Sequence, residues 1–365
     1  MITPKLNCTH CGSPFPANGF PHLCPQCGGL FDYALPLLYD PSLVDGSQPG
    51  IWRYRFSFGL ADEVKPVSLG EGNTPLVWGE LFGRLVAFKC DYLNPTGSFK
   101  DRGTTLIVSL LKATGVSEVV EDSSGNAGAS LAAYAARSGI KARIFIPGSA
   151  SGPKRRQIEA YGSTLVNIQG TRSEVAEAVE EEASNGAIYA SHAHLPFFIP
   201  GNATTAFEIF EQLGCLPGAV VSPVGQGGML LGLHRGFSAI KEHEGLSSTP
   251  KLVGVQARAC GPLWEWFKVG HGDIIPAAEN PTLAEGVRVR SPVWGRAVLD
   301  AVGESKGVVI GVEEDDILPG RDQLARKGFY VEPTSAVVWD GFSQVINELP
   351  DPVVIVLTGV GYKYE

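Results

Sequence analysis

The segment Val119-Val120-Glu121-Asp122-Ser123-Ser124-Gly125-Asn126-Ala127-Gly128 leads from an apolar pair, through a polar turn, into an alanine-rich run. The apolar pair predicts a buried strand, and residues 127–137 predict a helix with Gly139 as its stop. A strand followed by a polar turn and a helix is the repeating unit of an α/β protein. The first N–H groups of such a helix can bind a carboxylate or a phosphate, although serine and asparagine are also ordinary helix caps.

Other apolar runs share this layout and support the α/β assignment. They are residues 141–147, 219–223, 251–255 and 352–357. Turn residues bound each run, and a stretch with helical periodicity follows. Continuous apolar runs of this length are typical of parallel strands buried on both faces. We therefore expect open α/β domains, and any second domain should be nested within the first because no sharp boundary interrupts the pattern.

Two further turns follow predicted strands. Gly225-Gln226-Gly227-Gly228-Met229 lies shortly after residues 219–223, and its glycines would let backbone N–H groups surround a phosphate. The sequence of this turn matches neither the Walker pattern nor the dinucleotide fingerprint. Thr358 follows residues 352–357, at the carboxyl end of a predicted strand, where open α/β sheets bind ligands. A threonine that merely ends a strand is the alternative interpretation.

One lysine is the main candidate for chemistry. Asn94-Pro95-Thr96-Gly97-Ser98-Phe99-Lys100-Asp101-Arg102 sets Lys100 in a run of small and polar residues. Such a lysine, taken alone, is ordinarily a solvated surface charge. Together with the two predicted anion-binding turns, however, it becomes a candidate nucleophile, because a lysine amine can bond covalently to a carbonyl group.

Four of the seven cysteines form two closely spaced pairs, Cys8-x2-Cys11 and Cys24-x2-Cys27. This spacing predicts a four-cysteine zinc-ribbon-like segment over residues 1–33, in which four thiolates would hold a structural Zn²⁺. The alternative is a ribbon with reduced cysteines and no metal. The odd cysteine count argues against a disulfide framework, and the remaining three cysteines, Cys90, Cys215 and Cys260, are expected to be buried apolar residues.

Composition narrows the class of protein. With 365 residues and 44% hydrophobic content the chain can bury a large core, and its net charge of −9 gives no general attraction to nucleic acid or to an anionic membrane. No apolar stretch approaches the roughly 20 residues of a membrane span, and the first residues lack the apolar run of a secretory signal. These features predict a cytoplasmic enzyme without nucleic-acid or membrane partners.

Six segments occur in a characteristic order along the chain. They are residues 70–76, 94–102, 123–128, 225–228, 332–336 and 357–363. In this order they resemble the threonine synthases, and more widely the fold type II enzymes that use pyridoxal 5'-phosphate (PLP), also called the tryptophan synthase β family. The resemblance extends over nearly the whole chain, and several threonine synthase relatives also carry an N-terminal cysteine-rich ribbon.

This resemblance implies an architecture and a set of roles. Two open α/β domains with the cofactor cleft between them would make a PLP-dependent catalytic region over residues 34–365, with a nested mobile subdomain at about 110–200, in a homodimer. Lys100 would be the catalytic residue and would bond to PLP. The implied cofactor-binding residues are Lys100, Phe99, Asn126, Gly225, Gln226, Gly227, Gly228, Met229 and Thr358, and the implied substrate-binding residues are Ser123, Ser124, Gly125, Asn126 and Ala127.

The implied activity is that of a lyase of amino-acid biosynthesis, with threonine synthase as the first hypothesis: O-phospho-L-homoserine and water would give L-threonine and phosphate. Threonine synthases usually carry two basic residues in a segment where this chain has Phe198 and Ala203. A related β-elimination or β-replacement enzyme, dehydratase-like or cysteate synthase-like, acting on serine, threonine or O-phosphoserine, therefore stays open. A ribbon-bearing protein that binds PLP or an amino acid without turnover is a third alternative. His192, His194 and residues 154–156 could meet a substrate phosphate, or could be ordinary packing and surface residues.

Overall fold

The fold was analysed in a computed structural model, which describes residues 3–148, 152–270, 272–278 and 280–364. The chain divides into two compact units, each made of discontinuous segments. The first unit comprises residues 1–72 and 100–201, and the second comprises residues 73–99 and 202–365. The domain boundaries suggested by the sequence, including the nested subdomain at about 110–200 and its mobility, remain predictions.

Eleven strands and ten α-helices occupy the described ranges. The strands are β1 (Leu6–Cys8), β2 (Phe31–Tyr33), β3 (Leu76–Leu81), β4 (Arg84–Lys89), β5 (Glu118–Glu121), β6 (Lys141–Pro147), β7 (Thr164–Ile168), β8 (Ala219–Pro223), β9 (Lys251–Ala257), β10 (Val308–Val312) and β11 (Val353–Val356). The helices are α1 (Lys100–Ala113), α2 (Asn126–Ser138), α3 (Pro153–Ala160), α4 (Arg172–Ser184), α5 (Phe198–Leu213), α6 (Gly228–Glu244), α7 (Pro262–Val269), α8 (Gly295–Glu304), α9 (Glu314–Arg326) and α10 (Pro333–Val345).

The first unit is built on a parallel three-stranded sheet in the order β5-β6-β7. The helices α2 and α4 pack against β6. Val120 of β5 and Phe145 of β6 form an apolar cluster with Val175 and Val179 of α4 and with Tyr189. The strands β1 and β2 form a separate antiparallel pair that carries the first of the cysteines. This arrangement places the carboxyl end of β5 directly before the polar turn and the start of α2.

The second unit contains a six-stranded sheet in the order β10-β9-β8-β11-β4-β3. All neighbouring strands are parallel except β3 and β4, which form an antiparallel hairpin at one edge. The helix α10 packs across the central strands, and their fully buried valine and isoleucine side chains form the main core. Since β8 and β11 are parallel neighbours, the loops at their carboxyl ends meet at one edge of this sheet.

The structure confirms the α/β fold class predicted from the sequence. Strands β6 and β8 have the predicted limits, and β11 lies within the predicted run 352–357. Strand β9 begins where predicted but extends two residues beyond the predicted run 251–255, and α2 ends at Gly139 in the left-handed conformation. The prediction for Cys215 is wrong: it is exposed, because it lies in the turn that follows α5, whereas Cys90 and Cys260 are buried. Residues 50–58, in a segment without a clear sequence period, form a 3₁₀ stretch. Among the helices in the described ranges, none combines the length and the hydropathy that a bilayer crossing requires.

Candidate active site

The polar turn of the first unit ends at the half-buried start of α2. Gly125 is the N-cap of α2, and its N–H donates to the Ser123 hydroxyl at 3.3 Å. Ser123 is buried, while Ser124 and Asn126 are half-buried. The first turn of α2 holds no acidic residue, so its N–H donors and the positive end of the helix dipole face no fixed negative charge there. The turn therefore has the donors and the electrostatics of an anion-binding site.

Lys100 is the first residue of α1, and its surroundings fix its position. The next residue, Asp101, accepts a 2.6 Å hydrogen bond from the Ser130 hydroxyl of α2, so the starts of α1 and α2 lie side by side. The Lys100 Nζ lies 5.4 Å from the centroid of the Phe198 ring. That ring also covers Gly103, where a Cβ atom would come within 2.2 Å of it. The lysine amine is thus held near the polar turn and against an aromatic face.

A buried acid and a histidine complete this region of the first unit. Glu121, the last residue of β5, is 1% exposed and lies 2.8 Å from Nδ1 of His192 through Oε1. Burial, and then the charge of Asp122, raises the pKa of Glu121 well above its usual range. Burial, and then the charge of Lys100, lowers the pKa of His192 well below its usual range. Both shifts favour uncharged forms.

The glycine-rich turn of the second unit joins β8 to α6. Gly227 caps α6 with φ +99°, and a Cβ atom there would lie 2.3 Å from Cγ2 of Val298, so this position requires glycine. The Gln226 side chain accepts a 3.0 Å hydrogen bond from the Val293 N–H, which anchors the turn. No acidic residue occupies the first turn of α6. The start of α6 therefore has the backbone donors that an anion site would need, and its role in binding a phosphate stays a prediction.

Thr358 lies directly beyond β11, at the same sheet edge as the glycine-rich turn. Its N–H donates to the Ser335 hydroxyl at 2.9 Å, and its carbonyl accepts from the Phe99 N–H at 3.1 Å. These bonds bring Phe99 and Thr358 together in the second unit. Lys100 and residues 123–127 belong to the first unit, whereas Phe99, Thr358 and residues 225–229 belong to the second.

Comparison with known proteins identifies the group to which these features belong. A sequence profile of the pyridoxal-phosphate dependent enzymes matches residues 67–359. The chain belongs to the pyridoxal-phosphate dependent enzyme family. It is 34% identical to a threonine synthase of Methanocaldococcus jannaschii, over 98% of this chain and 92% of that protein, and 31% identical to a threonine synthase of Methanosarcina acetivorans, over 94% and 87%. The resemblance inferred from the six ordered segments is thereby confirmed.

Solved structures give the same result for the fold of this pyridoxal-phosphate dependent enzyme. A T.th. threonine deaminase matches with a TM-score of 0.65 and 28% identity, covering 79% of this chain and 92% of that one. Maize serine racemase matches with a TM-score of 0.66, covering 79% and 88%, and at 23% identity it supports the fold alone.

The chemistry of the donors fits PLP, the cofactor that gives the family its name. A phosphate needs several N–H donors without a nearby carboxylate, and the glycine-rich turn before α6 supplies such a setting. The aldehyde group of PLP requires an amine for a covalent bond to the protein, and Lys100 carries an amine at the start of α1. Within each unit the predicted residues therefore have suitable chemistry, and a lysine amine such as that of Lys100 is a group that can bond to an aldehyde.

The four N-terminal cysteines of this family member form a second candidate site. Their sulfur atoms lie within 4.8 Å of one another, with Cys8 to Cys27 at 3.5 Å and Cys11 to Cys24 at 3.7 Å. Four thiolates at about 2.3 Å from a tetrahedral Zn²⁺ would be about 3.8 Å apart, so the cluster fits zinc.

Sequence reasoning missed part of the region around Lys100. It considered His192 and His194 as possible ligands for a substrate phosphate, but both are committed to internal partners, Glu121 and Ser191. It also did not foresee that Phe198 would lie against the lysine. A buried acid at the end of a strand, directly before the polar turn, was the available signal, yet its partner could not be identified from the sequence.

Proposed function

We propose that this PLP-dependent lyase is a threonine synthase, which converts O-phospho-L-homoserine and water into L-threonine and phosphate. The observation that carries the proposal is the 34% identity to a threonine synthase across 98% of this chain. The position of Lys100 at the start of α1, beside the polar turn before α2, supports it. The chain's own substrate is therefore a small amino acid, in our proposal a phosphorylated one.

The residues to which we assign binding roles are found in both units. In the first, the hydroxyls of Ser123 and Ser124 and the N–H groups of residues 125–127 would bind the substrate carboxylate, and Asn126 would bond to the hydroxyl of the cofactor ring. In the second, residues 225–229 would hold the cofactor phosphate through backbone donors. Thr358 would face the ring nitrogen, and Phe99, which is bonded to the Thr358 carbonyl, would pack near the ring.

Proton transfer would be the task of Lys100. Bound PLP supplies an electron sink, which stabilises the negative charge left at the substrate α-carbon when its proton is removed. The Nζ of Lys100 would accept that proton and return it later, since the start of α1, which carries this lysine, lies beside the start of α2. The phosphate of the substrate would leave from the γ-carbon, and water would then add at the β-carbon.

A second candidate function is favoured by one segment of the sequence. Where threonine synthases usually have two basic residues, this chain has Phe198, whose ring contacts the lysine, and Ala203. Both nearby imidazoles have a pKa lowered by burial, which weakens them as phosphate ligands. β-Elimination or β-replacement on serine, threonine or O-phosphoserine is the alternative, and the similarity to a threonine deaminase is consistent with it.

Three further features complete the proposal. The four-cysteine cluster would hold a structural zinc ion, because its thiols already have near-tetrahedral spacing. The protein would act in the cytoplasm as a homodimer. The hairpin of β3 and β4 is at a sheet edge and exposes the apolar side chains of Trp78, Phe82 and Leu85, which a second copy would cover.

The test is to mix the PLP-loaded protein separately with O-phospho-L-homoserine, O-phospho-L-serine, L-serine and L-threonine. Released phosphate and the visible absorbance of the protein are followed together, and amino-acid products are identified chromatographically. Equal amounts of phosphate and threonine from O-phospho-L-homoserine would support threonine synthase. A response to L-serine, L-threonine or O-phospho-L-serine, without threonine formation from O-phospho-L-homoserine, would instead support the second candidate. Release of a keto acid and ammonia would identify that reaction as an elimination.

A further inference from the structure

The buried Glu121 and the half-buried His192 form a polar pair in the first unit. Their 2.8 Å contact joins the end of β5 to a residue 71 positions later in the chain. The second carboxyl oxygen of Glu121, Oε2, is buried and has no hydrogen-bond partner among the residues described. An ionised carboxylate left with one unsatisfied buried oxygen is costly, whereas a protonated carboxyl group tolerates this setting better.

The charges around the pair differ from those around its neighbour. Asp122, the next residue, accepts hydrogen bonds from Tyr189 at 2.8 Å and from Arg172 at 3.2 Å, so its negative charge is compensated. The titratable groups that act on Glu121 and His192 are Lys100 of α1, Asp122 after β5, Arg172 of α4, Tyr189 and His194. The arginine of this set donates to Asp122 rather than to Glu121.

An aromatic ring connects the pair to the lysine. The Phe198 ring meets the His192 ring edge to face, with centroids 5.8 Å apart, and its face lies 5.4 Å from the Lys100 Nζ. The orientation of His192 is fixed by Glu121, and His192 in turn limits where Phe198 can lie. A change at Glu121 is therefore transmitted to Lys100 through two packed rings.

We propose that Glu121 is held protonated beside a neutral His192, and that this uncharged pair positions Phe198 against Lys100 without adding a fixed negative charge near the lysine amine. Both are positioning residues, since they act through Phe198. The inference rests on the proposed role of Lys100 as the residue that bonds to PLP.

A protonated Glu121 would affect the protonation state of Lys100. An ionised carboxylate nearby would favour the ammonium form of the lysine, and an ammonium group can neither bond to an aldehyde nor accept a proton. A buried unit charge at about 10 Å, with an effective dielectric constant of about 20, moves a pKa by about one unit. A protonated Glu121 keeps the hydrogen bond to His192 and avoids that shift.

Infrared difference spectroscopy of the PLP-loaded protein tests the protonation directly. Wild type minus Glu121→Gln at neutral pH should show the C=O stretch of a protonated carboxyl group. Wild type minus Glu118→Gln should lack it, because Glu118 is an exposed residue of the same strand paired with Arg143. A carboxylate signal in the Glu121→Gln difference would overturn the proposal. If Glu121 is protonated, the pH midpoint of PLP binding should be the same in Glu121→Gln as in the wild type. A midpoint about one pH unit lower in Glu121→Gln would show that the wild-type carboxyl group is ionised and would contradict the proposal.

Two substitutions at His192 test the positioning role. Asparagine places its side-chain amide near Nδ1 and can keep the bond to Glu121, but it removes the ring that meets Phe198. Phenylalanine keeps a ring at this position and removes the bond to Glu121. Because the argument needs both the bond and the ring, His192→Asn and His192→Phe should each bind PLP about tenfold more weakly than the wild type, the effect of about one lost buried interaction. Wild-type affinity in either variant would refute the positioning role.

The outcomes separate this inference from the proposed function. Loss of PLP bonding is expected for Lys100→Ala under the proposed function alone. If Lys100→Ala behaves so while the infrared and His192 experiments fail, the pair has no role but the function stands. If Lys100→Ala still bonds PLP, the proposed role of Lys100 fails, and the inference fails with it.

Discussion

Lys100 lies at the first position of α1 with an aromatic ring beside its Nζ, and its amine is the group we expect to bond to PLP. Lys100→Ala should therefore abolish both turnover and the visible absorbance of lysine-bound cofactor. Lys112→Ala is the matched control, because Lys112 lies in the last turn of the same helix and is exposed. The absorbance spectrum of each purified variant with added PLP provides the measurement. A wild-type spectrum for Lys100→Ala would rule out the assignment.

A second prediction for a single residue concerns the stability of the folded protein. Lys89 and Glu208 form a 2.7 Å ion pair with both side chains fully buried, and Glu208 also accepts the Asn73 N–H at 2.7 Å. Removing one partner leaves the other as an uncompensated buried charge, so Lys89→Met should lower the free energy of unfolding by about 3–5 kcal/mol. Asp351→Asn, in an exposed pair with Arg84, should cost at most about 1 kcal/mol. Urea unfolding curves compare them, and equal costs would contradict the argument.

Some residues of the candidate site could be predicted from the sequence, and others could not. Thr358 and the glycines at 225, 227 and 228 could be predicted, because each directly follows an apolar run that reads as a strand, and strand ends are where such sheets bind ligands. The pairing of Glu121 with His192 could not be predicted, because the two residues are far apart in sequence and their contact depends on how the chain packs. The effect of burial on their protonation is likewise a property of the folded unit.

At the level of elements, the turn before α6 gives a further prediction. Gly227 and Gly245 cap the two ends of α6, both in the left-handed conformation, with φ +99° and +63°. Alanine should destabilise the protein at either position, by about 1 kcal/mol. Gly227→Ala should in addition weaken PLP binding, since its Cβ would meet Val298 and displace the turn. Thermal unfolding and PLP titration of both variants measure this, and similar PLP affinities would argue against a role for the turn.

Elements with a strong hydrophobic period were the predictable ones. The limits of β6 and β8 agree with the sequence prediction, because apolar residues there stop abruptly at turn residues. Residues 50–58 carry glycine and aromatic residues without a period, and they form a 3₁₀ stretch whose Trp52 and Tyr54 are fully buried. That conformation depends on what the aromatic rings pack against, which no local pattern encodes.

For the whole molecule, metal content is a direct test of the N-terminal segment. Cys8→Ser combined with Cys11→Ser removes two of the four thiols, and we expect the loss of one equivalent of zinc and a lower thermal midpoint. Cys215→Ser, at an exposed cysteine outside the cluster, should retain the metal. Elemental analysis and calorimetry supply the readouts. Unchanged zinc in the double variant, or no zinc in the wild type, would show that the cluster is not a zinc site.

Formation of the proposed homodimer is the second property of the whole molecule that can be tested. Trp78 is 50% exposed on the edge hairpin, and a lysine there would place a charge within the face that we expect a second copy to cover. Trp78→Lys should convert the dimer into a monomer, as measured by light scattering. Ile275→Lys changes an equally apolar and more exposed residue elsewhere, 76% exposed, and should leave the mass unchanged. A dimer that persists in Trp78→Lys would exclude the hairpin from the interface.

Trp52 gives the first unit an optical probe of its own. Its indole is fully buried and donates to Glu71 at 3.1 Å and to Thr105 at 3.0 Å, whereas the other tryptophans, at positions 78, 264, 266, 294 and 339, belong to the second unit. A variant in which those five are replaced by phenylalanine would emit fluorescence from Trp52 alone. A red shift of that emission would then report the exposure of Trp52 to water as the first unit unfolds, independently of the second unit.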